Sequence, residues 1–402
     1  MRKALLALLT VVTLVLGAIP SHALHSLEKY ISAKSLASPG LLIMNPNDGK
    51  VIAQNSPESL RVPASVLKLI STSAVLHFVG PDKTYSTTIY STEQASTFII
   101  KGTLDPWLTS NVTRAKKNGQ IFLPSLVSKA NTENKKKITI YYTGIFEKDK
   151  YDLNINLKSK GIRATFKKIE GDALSSKAKD EVASFTSLPV SEMVKFAIMW
   201  SDNTLANRLG NSAARKIGYE TTPAGLTKTF KLALEEIGVD STGLKVEDGS
   251  GLSKANRVSA KTIVELLMKI RNNPRYESIY DGMPVGGLTG TLRKRFVETA
   301  PHAIGHVHAK TGWVNRSVTM AGYVDDGETE FAFAILADGI TPTLGARNRA
   351  RASMDRLLGV IVTGNHSRLL WLRHNRQPRH VYEAVRKLYQ WVRYTPLPSV
   401  RL

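Results

Sequence analysis

The sequence contains no cysteine among its 402 residues. A disulfide framework, a thiolate metal site, a cysteine nucleophile and a lipoprotein-type anchor are therefore all excluded. The hydrophobic content of 42% and the aromatic content of 7% are both ordinary for a folded soluble protein. The length is more than one small core needs, and it favours two or three domains.

Long apolar runs are missing except near the start of the chain. Arg2 and Lys3 precede an apolar stretch at residues 4–19, and Ser21-His22-Ala23 offers small residues for cleavage. This pattern predicts a secretory signal over residues 1–23. An uncleaved membrane anchor is the alternative, but the run is short for a span of roughly 20 residues. We therefore expect an exported protein of the cell envelope that works outside the cytoplasm.

Acidic residues are also few, with 33 Asp and Glu against 55 Lys and Arg, which gives a net charge of +22. For an exported protein, anionic wall polymers and phospholipid head groups are the expected anionic partners, and nucleic acid is not. Simple solubility is the other explanation of the surplus. The charge influences encounter rates and says nothing about the chemistry of a site.

The order of apolar runs and turns predicts an α/β fold of the α+β type. Strands are expected around the Asn47-Asp48-Gly49 turn and again at residues 306–336, with helical segments between them. Such an order indicates one antiparallel sheet flanked by helices. We assign this main domain to residues 24–84 and 187–362.

A change of composition near residue 84 predicts an inserted smaller domain at residues 85–186. Strands rich in Thr and Ile are expected at residues 85–90, 96–100 and 138–142, and a helix at residues 123–130. The alternative is a set of long solvated loops. A basic tail follows at residues 363–402.

Ser65 and Lys68 form the first candidate for chemistry, in the run Pro63-Ala64-Ser65-Val66-Leu67-Lys68. A serine and a lysine three residues apart lie on one helical face, so the amine can take the proton of the hydroxyl. The spacing alone is weak, because Ser176-Lys177-Ala178-Lys179 repeats it without a comparable context. Ser65 differs by the proline before it and the apolar helix predicted after it.

Two further motifs follow in order. Ser201-Asp202-Asn203 is the one Ser-x-Asn run of the chain, and it supplies a hydroxyl for proton relay and an amide for a substrate carbonyl. A helix N-cap is an equally good explanation of Ser201 when it is taken alone.

Lys310-Thr311-Gly312 follows a predicted strand and supplies a charge, a hydroxyl and an open backbone. An ordinary strand end with a surface lysine is the alternative there.

Together, the three motifs resemble those of penicillin-binding proteins and serine β-lactamases. The sequence is similar to the D-alanyl-D-alanine carboxypeptidase/endopeptidase class of low-molecular-mass penicillin-binding proteins, in which a large insertion separates the first two motifs. The runs Asp248–Ser253 and Pro284–Leu292 are similar to signatures of that class. From Lys68 to Ser201 there are 133 residues, which requires an insertion, although a shorter one than usual. We therefore expect the further domain that such insertions commonly contain to be missing or vestigial.

The resemblance implies a serine-type D-Ala-D-Ala carboxypeptidase that hydrolyses peptidoglycan stem peptides and is acylated by β-lactams. It implies Ser65 as nucleophile and Lys68 as base, kept neutral by burial and by the nearby charge of Lys310. Ser201 is expected to pass the proton to the leaving amine and Asn203 to hold the peptide carbonyl.

The resemblance also assigns the third motif. Lys310 and Thr311 are expected to bind the terminal carboxylate, next to Gly312. The N–H groups of Ser65 and Trp313 are expected to form the oxyanion hole. Trp313 departs from the small hydroxyl residue common at that position, and its indole is expected to narrow the groove.

Other functions remain open from the sequence. A β-lactamase or esterase could use the same scaffold, and DD-endopeptidase action cannot be separated from carboxypeptidase action. A non-catalytic wall-binding or β-lactam-sensing protein is a third alternative. The pair His306 and His308 could ligate zinc, but no suitably placed carboxylate or cysteine completes a site, so we expect neither a metal nor another cofactor.

The basic tail has a helical pattern of its own. Val381, Val385, Leu388 and Val392 fall on one face of residues 379–394, with arginine and lysine elsewhere. This pattern predicts a helix that contacts an anionic membrane surface or wall polymer. A helix packed on the main domain and a loose tail are the alternatives.

Overall fold

A computed structural model describes residues 27–363 of the chain. The predicted signal at residues 1–23 and the predicted tail helix at residues 379–394 lie outside the described residues. The chain divides into two compact units. Among the described residues, the first unit contains 27–64, 257–268 and 284–363, and the second contains 65–256 and 269–283.

The elements of the described residues are as follows. The strands are β1 (Gly40–Met44), β2 (Val51–Asn55), β3 (Ser86–Ser91), β4 (Thr97–Gly102), β5 (Leu108–Thr109), β6 (Ile121–Phe122), β7 (Lys137–Thr143), β8 (Arg163–Lys168), β9 (Glu181–Thr186), β10 (Val307–Val314), β11 (Ser317–Asp325) and β12 (Glu330–Ala337). The helices are α1 (Lys68–Phe78), α2 (Val112–Asn118), α3 (Leu123–Ala130), α4 (Glu147–Ser159), α5 (Asp172–Lys177), α6 (Val190–Trp200), α7 (Asn203–Lys216), α8 (Pro223–Ile237), α9 (Ala260–Ile270), α10 (Glu277–Asp281) and α11 (Leu344–Thr363).

The first unit is built on a five-stranded antiparallel sheet in the order β10-β11-β12-β1-β2. Strands β11 and β12 are buried along almost their whole length, as expected for central strands covered on both faces. Leu357, Leu358 and Ile361 of α11 belong to the core cluster that also holds Met320 and Phe333 of the sheet. The predicted antiparallel sheet with flanking helices is confirmed.

Gly322 lets β10 and β11 approach each other closely. It pairs with Ala309, and a side chain at this position would come within 2.1 Å of the carbonyl oxygen of His308. Because Ala309 directly precedes Lys310, the close pairing fixes the course of the strand that carries the Lys-Thr-Gly run.

The second unit combines a helical cluster with a mixed sheet. Helices α6, α7 and α8 all pack on α1. Nine of the eleven residues of α1 are buried, from Lys68 to Leu76, so α1 is an interior helix rather than an amphipathic surface one.

The sheet of the second unit has the order β8-β7-β4-β3-β9 and lies within the predicted insertion. Strands β4, β7 and β8 are parallel, whereas β3 pairs antiparallel with β4 and β9. The alternation of β7 buries Ile138, Ile140 and Tyr142 on one face. Residues 85–186 thus contain regular structure, while the predicted domain boundaries stay a prediction. No helix within residues 27–363 combines the length and apolar character needed to cross a bilayer.

Candidate active site

Ser65 and Lys68 lie at the junction of two kinds of helix. Residues Ala64–Leu67 form a 3₁₀ turn, and the α-helix begins at Lys68. With three residues per turn, a 3₁₀ segment brings residues i and i+3 onto one line, so the serine and lysine side chains meet. Ala64 has a φ of 46°, which is uncommon for a residue with a side chain. Strain of this kind, worth about 1–3 kcal/mol, is typical of functional sites.

The Lys68 amine contacts three oxygen atoms within the second unit. Its Nζ lies 2.9 Å from Ser65 Oγ, 2.8 Å from Asn203 Oδ1 and 2.7 Å from the carbonyl oxygen of Ser250. The lysine side chain is fully buried, whereas Ser65 is partly exposed. The hydroxyl is therefore open to a ligand, while the amine is enclosed by protein.

The chemistry of these three oxygens fits a neutral amine. Asn203 Oδ1 and the Ser250 carbonyl can only accept hydrogen bonds, so they take both N–H groups of an uncharged lysine. The lone pair of the amine then faces the Ser65 hydroxyl, which can donate its proton. The arrangement thus aims the base at the nucleophile and at no competing donor.

Burial lowers the pKa of the Lys68 amine from its ordinary value of 10.5 to about 7. The carboxylates of Asp248 and Asp202 act in the opposite direction and keep the pKa from falling further. The predicted effect of burial is therefore present in the structure. The contribution expected from Lys310, which belongs to the first unit, stays a prediction.

The turn between α6 and α7 carries the second motif. Ser201 ends α6 in the left-handed conformation, with a φ of 57°. Asp202 is the N-cap of α7, because its Oδ1 accepts from the backbone N–H of Leu205 at 2.8 Å. The N-cap explanation considered for Ser201 is therefore wrong, since the cap is Asp202. The cap orients the start of α7, where Asn203 reaches the Lys68 amine.

The loop after Lys245 supplies the third partner of the amine. The carboxylate of Asp248 accepts bonds from the N–H and hydroxyl of Ser250, from the N–H groups of Leu252 and Ser253, and from Asn256 Nδ2. Burial acts to raise the pKa of Asp248, but these bonds outweigh it and hold the pKa below its ordinary value. Asp248 thereby fixes the Ser250 carbonyl. The sequence marked this loop as a signature without assigning it this contact.

The Lys-Thr-Gly run lies on β10 of the first unit. Lys310 is fully buried, and its amine donates to the carbonyl of Thr311 at 2.8 Å. The hydroxyl of Thr311 lies 2.7 Å from that of Thr291, which belongs to the second signature run. The strand predicted before this motif continues through it, because Lys310, Thr311 and Gly312 all pair with β11.

Trp313 follows the motif and is 46% exposed. The guanidinium of Arg347 lies 4.4 Å from the centre of its ring, which is a cation–π contact. A tryptophan held in this way presents a large fixed surface beside Gly312. The site thus differs from one that has a small hydroxyl residue at position 313.

One of the two histidines considered as zinc ligands, His306, contacts an aspartate side chain. His306 Nδ1 lies 2.7 Å from Asp325 Oδ1. Within residues 27–363, no cluster of three or more histidine, aspartate and glutamate side chains is arranged to hold a metal ion.

Comparison with known proteins identifies the family. Residues 23–115 and 130–359 match the D-Ala-D-Ala carboxypeptidase 3 (S13) family. The chain belongs to that family. The match includes Ser65, Lys68, Ser201, Asn203 and the Lys-Thr-Gly run, so it covers all three motifs of the S13 chain.

One curated relative of this S13 chain is the D-alanyl-D-alanine carboxypeptidase of an Actinomadura species. The two are 36% identical over 167 residues, which are 39% of this chain and 30% of the relative. The chain spans between 30% and 39% of the length of the curated relatives that it matches.

Solved structures share the fold. Penicillin-binding protein 4 from Haemophilus influenzae has a TM-score of 0.66 and 18% identity, covering 83% of this chain and 98% of its own; it has also been solved with a β-lactam. A predatory endopeptidase from Bdellovibrio bacteriovorus has a TM-score of 0.59 and 16% identity, covering 82% and 93%, and it has also been solved acylated by penicillin G.

Proposed function

We propose that this S13 protein is a serine-type D-Ala-D-Ala carboxypeptidase that acts on peptidoglycan stem peptides through an acyl-enzyme on Ser65. The observation that carries the proposal is the arrangement around Lys68. Its amine lies 2.9 Å from Ser65 Oγ, and its other two contacts are oxygens that only accept hydrogen bonds. Membership of the D-Ala-D-Ala carboxypeptidase family supports the proposed substrate class.

In the proposed acylation, the Ser65 hydroxyl gives its proton to the lone pair of Lys68 Nζ. The oxygen attacks the carbonyl carbon between the two D-alanines, and a tetrahedral oxyanion forms. Asn203 and the Ser250 carbonyl keep the amine in line during this transfer. General-base assistance of this kind is typically worth about 10²–10⁴-fold in rate.

The remaining roles are part of the same proposal. The N–H groups of Ser65 and Trp313 stabilise the oxyanion, and losing one such donor typically costs about 3 kcal/mol. The C–N bond breaks as Ser201 passes the proton to the leaving D-alanine amine. Lys310 and Thr311 bind the carboxylate of that D-alanine beside Gly312. Water then hydrolyses the ester and restores the Ser65 hydroxyl.

A β-lactam enters by the same first step, because its amide carbonyl is attacked by Ser65 and its C–N bond breaks. The ring keeps the amine tethered to the acyl group, so the leaving group does not diffuse away. A long-lived penicilloyl ester on Ser65 is the expected product. Rapid turnover of penicillin would instead indicate a β-lactamase on this scaffold.

The test is incubation with defined muropeptides followed by mass spectrometry. A pentapeptide should lose its terminal D-alanine, which adds one water and releases one amino acid. A cross-linked dimer is included because a related fold belongs to an endopeptidase, and its cleavage would extend the proposal to DD-endopeptidase action. Acylation of Ser65 without release of D-alanine would favour a β-lactam-sensing protein.

The chain offers a matched control for the nucleophile. Ser176 has the same Ser-x-x-Lys spacing, but its hydroxyl donates to the carbonyl of Ala173 on the short helix α5. The Ser65→Ala variant should lose D-alanine release, while Ser176→Ala should keep the parental rate. A Ser65→Ala protein with full activity would refute the proposed function.

We further propose that the protein is exported and contacts an anionic surface through residues 363–402. The proposal is supported by the signal pattern of residues 1–23, the net charge of +22 and the amphipathic pattern of residues 379–394. Export is tested by the N-terminal sequence of the protein recovered from the cell envelope. Deleting residues 364–402 should weaken binding to vesicles rich in anionic lipid, and unchanged binding would contradict the role of the tail.

A further inference from the structure

Arg114 connects the predicted insertion to the turn that carries the second motif. Its Nη2 lies 3.1 and 3.0 Å from the two carboxylate oxygens of Asp202, and its Nη1 donates to Thr204 Oγ1 at 3.2 Å. Its Nε donates to Gln120 Oε1, also at 3.2 Å. All three nitrogens of the guanidinium are therefore engaged, and the side chain is held in one orientation.

Asp202 stands between two residues with proposed roles in the reaction. Its side chain is only 13% exposed, so a charge there needs a partner. Oδ1 already accepts the N–H of Leu205 as the cap of α7. The Arg114 guanidinium supplies the missing positive charge through Nη2, while its other two nitrogens bind Thr204 and Gln120; a lysine, with one nitrogen, could not make all of these contacts in the same geometry.

We propose that Arg114 is a positioning residue of the reaction, which acts through Asp202 by holding and balancing the carboxylate of the turn that presents Asn203 to Lys68. The proposal rests on the proposed function of Ser65 and Lys68. It gives the inserted segment a part in the chemistry, although Arg114 touches neither the nucleophile nor the base.

Two carboxylates of the second unit influence the pKa of the Lys68 amine. Asp248, from the loop before α9, and Asp202, from the α6–α7 turn, both act to raise the pKa of the Lys68 amine. Arg114 holds one of these two carboxylates in place. Without it, the Asp202 carboxylate is free to turn toward Lys68, and a smaller fraction of the amine is neutral at a given pH near 7.

The experiment measures the second-order rate of Ser65 acylation by a fluorescent penicillin between pH 5.5 and 9. Arg114→Gln should react about 3–10-fold more slowly than the parent at pH 6.5, with a smaller loss at pH 9, where Lys68 is neutral in both proteins. Asp202→Asn keeps the helix cap and removes the charge. In that background, Arg114→Gln should change the rate by less than about twofold.

Lys117→Gln is the matched control, because Lys117 is an exposed cation on the same helix. Its pH profile should equal that of the parent. The proposal is overturned if Arg114→Gln is acylated at the parental rate at every pH. It is also overturned if Arg114→Gln lowers the acylation rate by the same factor in the parent and in the Asp202→Asn variant. A parent protein that is never acylated at Ser65 would instead contradict the proposed function.

Discussion

The Lys68 amine lies 2.7 Å from the backbone carbonyl oxygen of Ser250, closer than it lies to Ser65 Oγ or Asn203 Oδ1. A backbone carbonyl has no proton to donate and cannot change rotamer as a side chain does, so it is a fixed acceptor for the base. Asp248 holds this carbonyl through bonds to the N–H and the hydroxyl of Ser250. The position of the base therefore depends on a carboxylate that does not touch it.

Replacing Asp248 by asparagine tests this dependence. The amide keeps one acceptor oxygen, but its NH₂ group would face the N–H of Ser253 or the Nδ2 of Asn256, which are both donors. We expect the loop to shift and Ser65 acylation to slow by about 10-fold or more, with about 1–3 kcal/mol lost from the free energy of unfolding. Acylation kinetics at pH 9, where Lys68 is neutral in both proteins, and chemical denaturation at pH 7 measure the two effects.

Asp240→Asn is the control for Asp248→Asn. Asp240 also accepts the N–H of a residue two positions on, Thr242, but in an exposed turn. It should leave the acylation rate within about twofold of the parent. Parental acylation by Asp248→Asn would show that the loop does not determine the position of Lys68.

Ser201 can be tested without disturbing its backbone. Its φ of 57° suits glycine better than alanine, so Ser201→Gly removes the hydroxyl without adding strain. We expect D-alanine release to fall by about 10²–10⁴-fold if this hydroxyl passes the proton to the leaving amine. The melting temperature checks that the fold is intact, and parental turnover of the peptide by a folded variant would exclude the proposed relay.

Asp105 should make stability depend on pH. Burial raises the pKa of Asp105 to about 6, although the N–H of Trp107 and the charge of Arg208 act in the opposite direction. Because the folded protein binds this proton more tightly than the unfolded chain does, stability falls as pH rises from about 4 to about 6. Asp105→Asn, which keeps an acceptor for Trp107, should therefore gain about 1–3 kcal/mol relative to the parent between pH 4 and pH 7.

Chemical denaturation at pH 4, 5, 6 and 7 measures this difference. Asp82→Asn removes an exposed carboxyl near the start of the insertion and serves as the control. Its stability relative to the parent should change little over the same range. A constant difference between Asp105→Asn and the parent would show that burial of Asp105 does not control the pH dependence.

The sequence predicted the elements that have a regular apolar pattern. The structure has α3 at the predicted residues 123–130, and β3, β4 and β7 lie within two residues of the predicted strands. Helix α4 was not predicted, because only Leu153, Leu157 and the charged Asp149 are buried on it. The buried carboxylate of Asp149 forms an ion pair with Arg208 at 2.8 Å. Because the two residues are far apart in the sequence, this contact produces no periodic pattern that could predict the helix.

The sequence motifs predicted those parts of the candidate site that are formed by side chains at a fixed spacing. Ser65, Lys68 and Asn203 come together in the structure as the motifs indicated. The Ser250 carbonyl could not be found in this way, because every residue has a backbone carbonyl. Arg114 could not be found either, since 88 residues separate it from Asp202 and no local pattern connects them.

The rate of Ser65 acylation as a function of pH tests the central claim most directly. A neutral Lys68 with a pKa of about 7 predicts a rate that rises about tenfold per pH unit below pH 7 and levels off above pH 8. Lys68→Met should abolish this pH dependence and lower the rate of acylation by about 10²–10⁴-fold. A rate that is independent of pH between 5.5 and 9, or one that continues to rise above pH 9, would contradict the account.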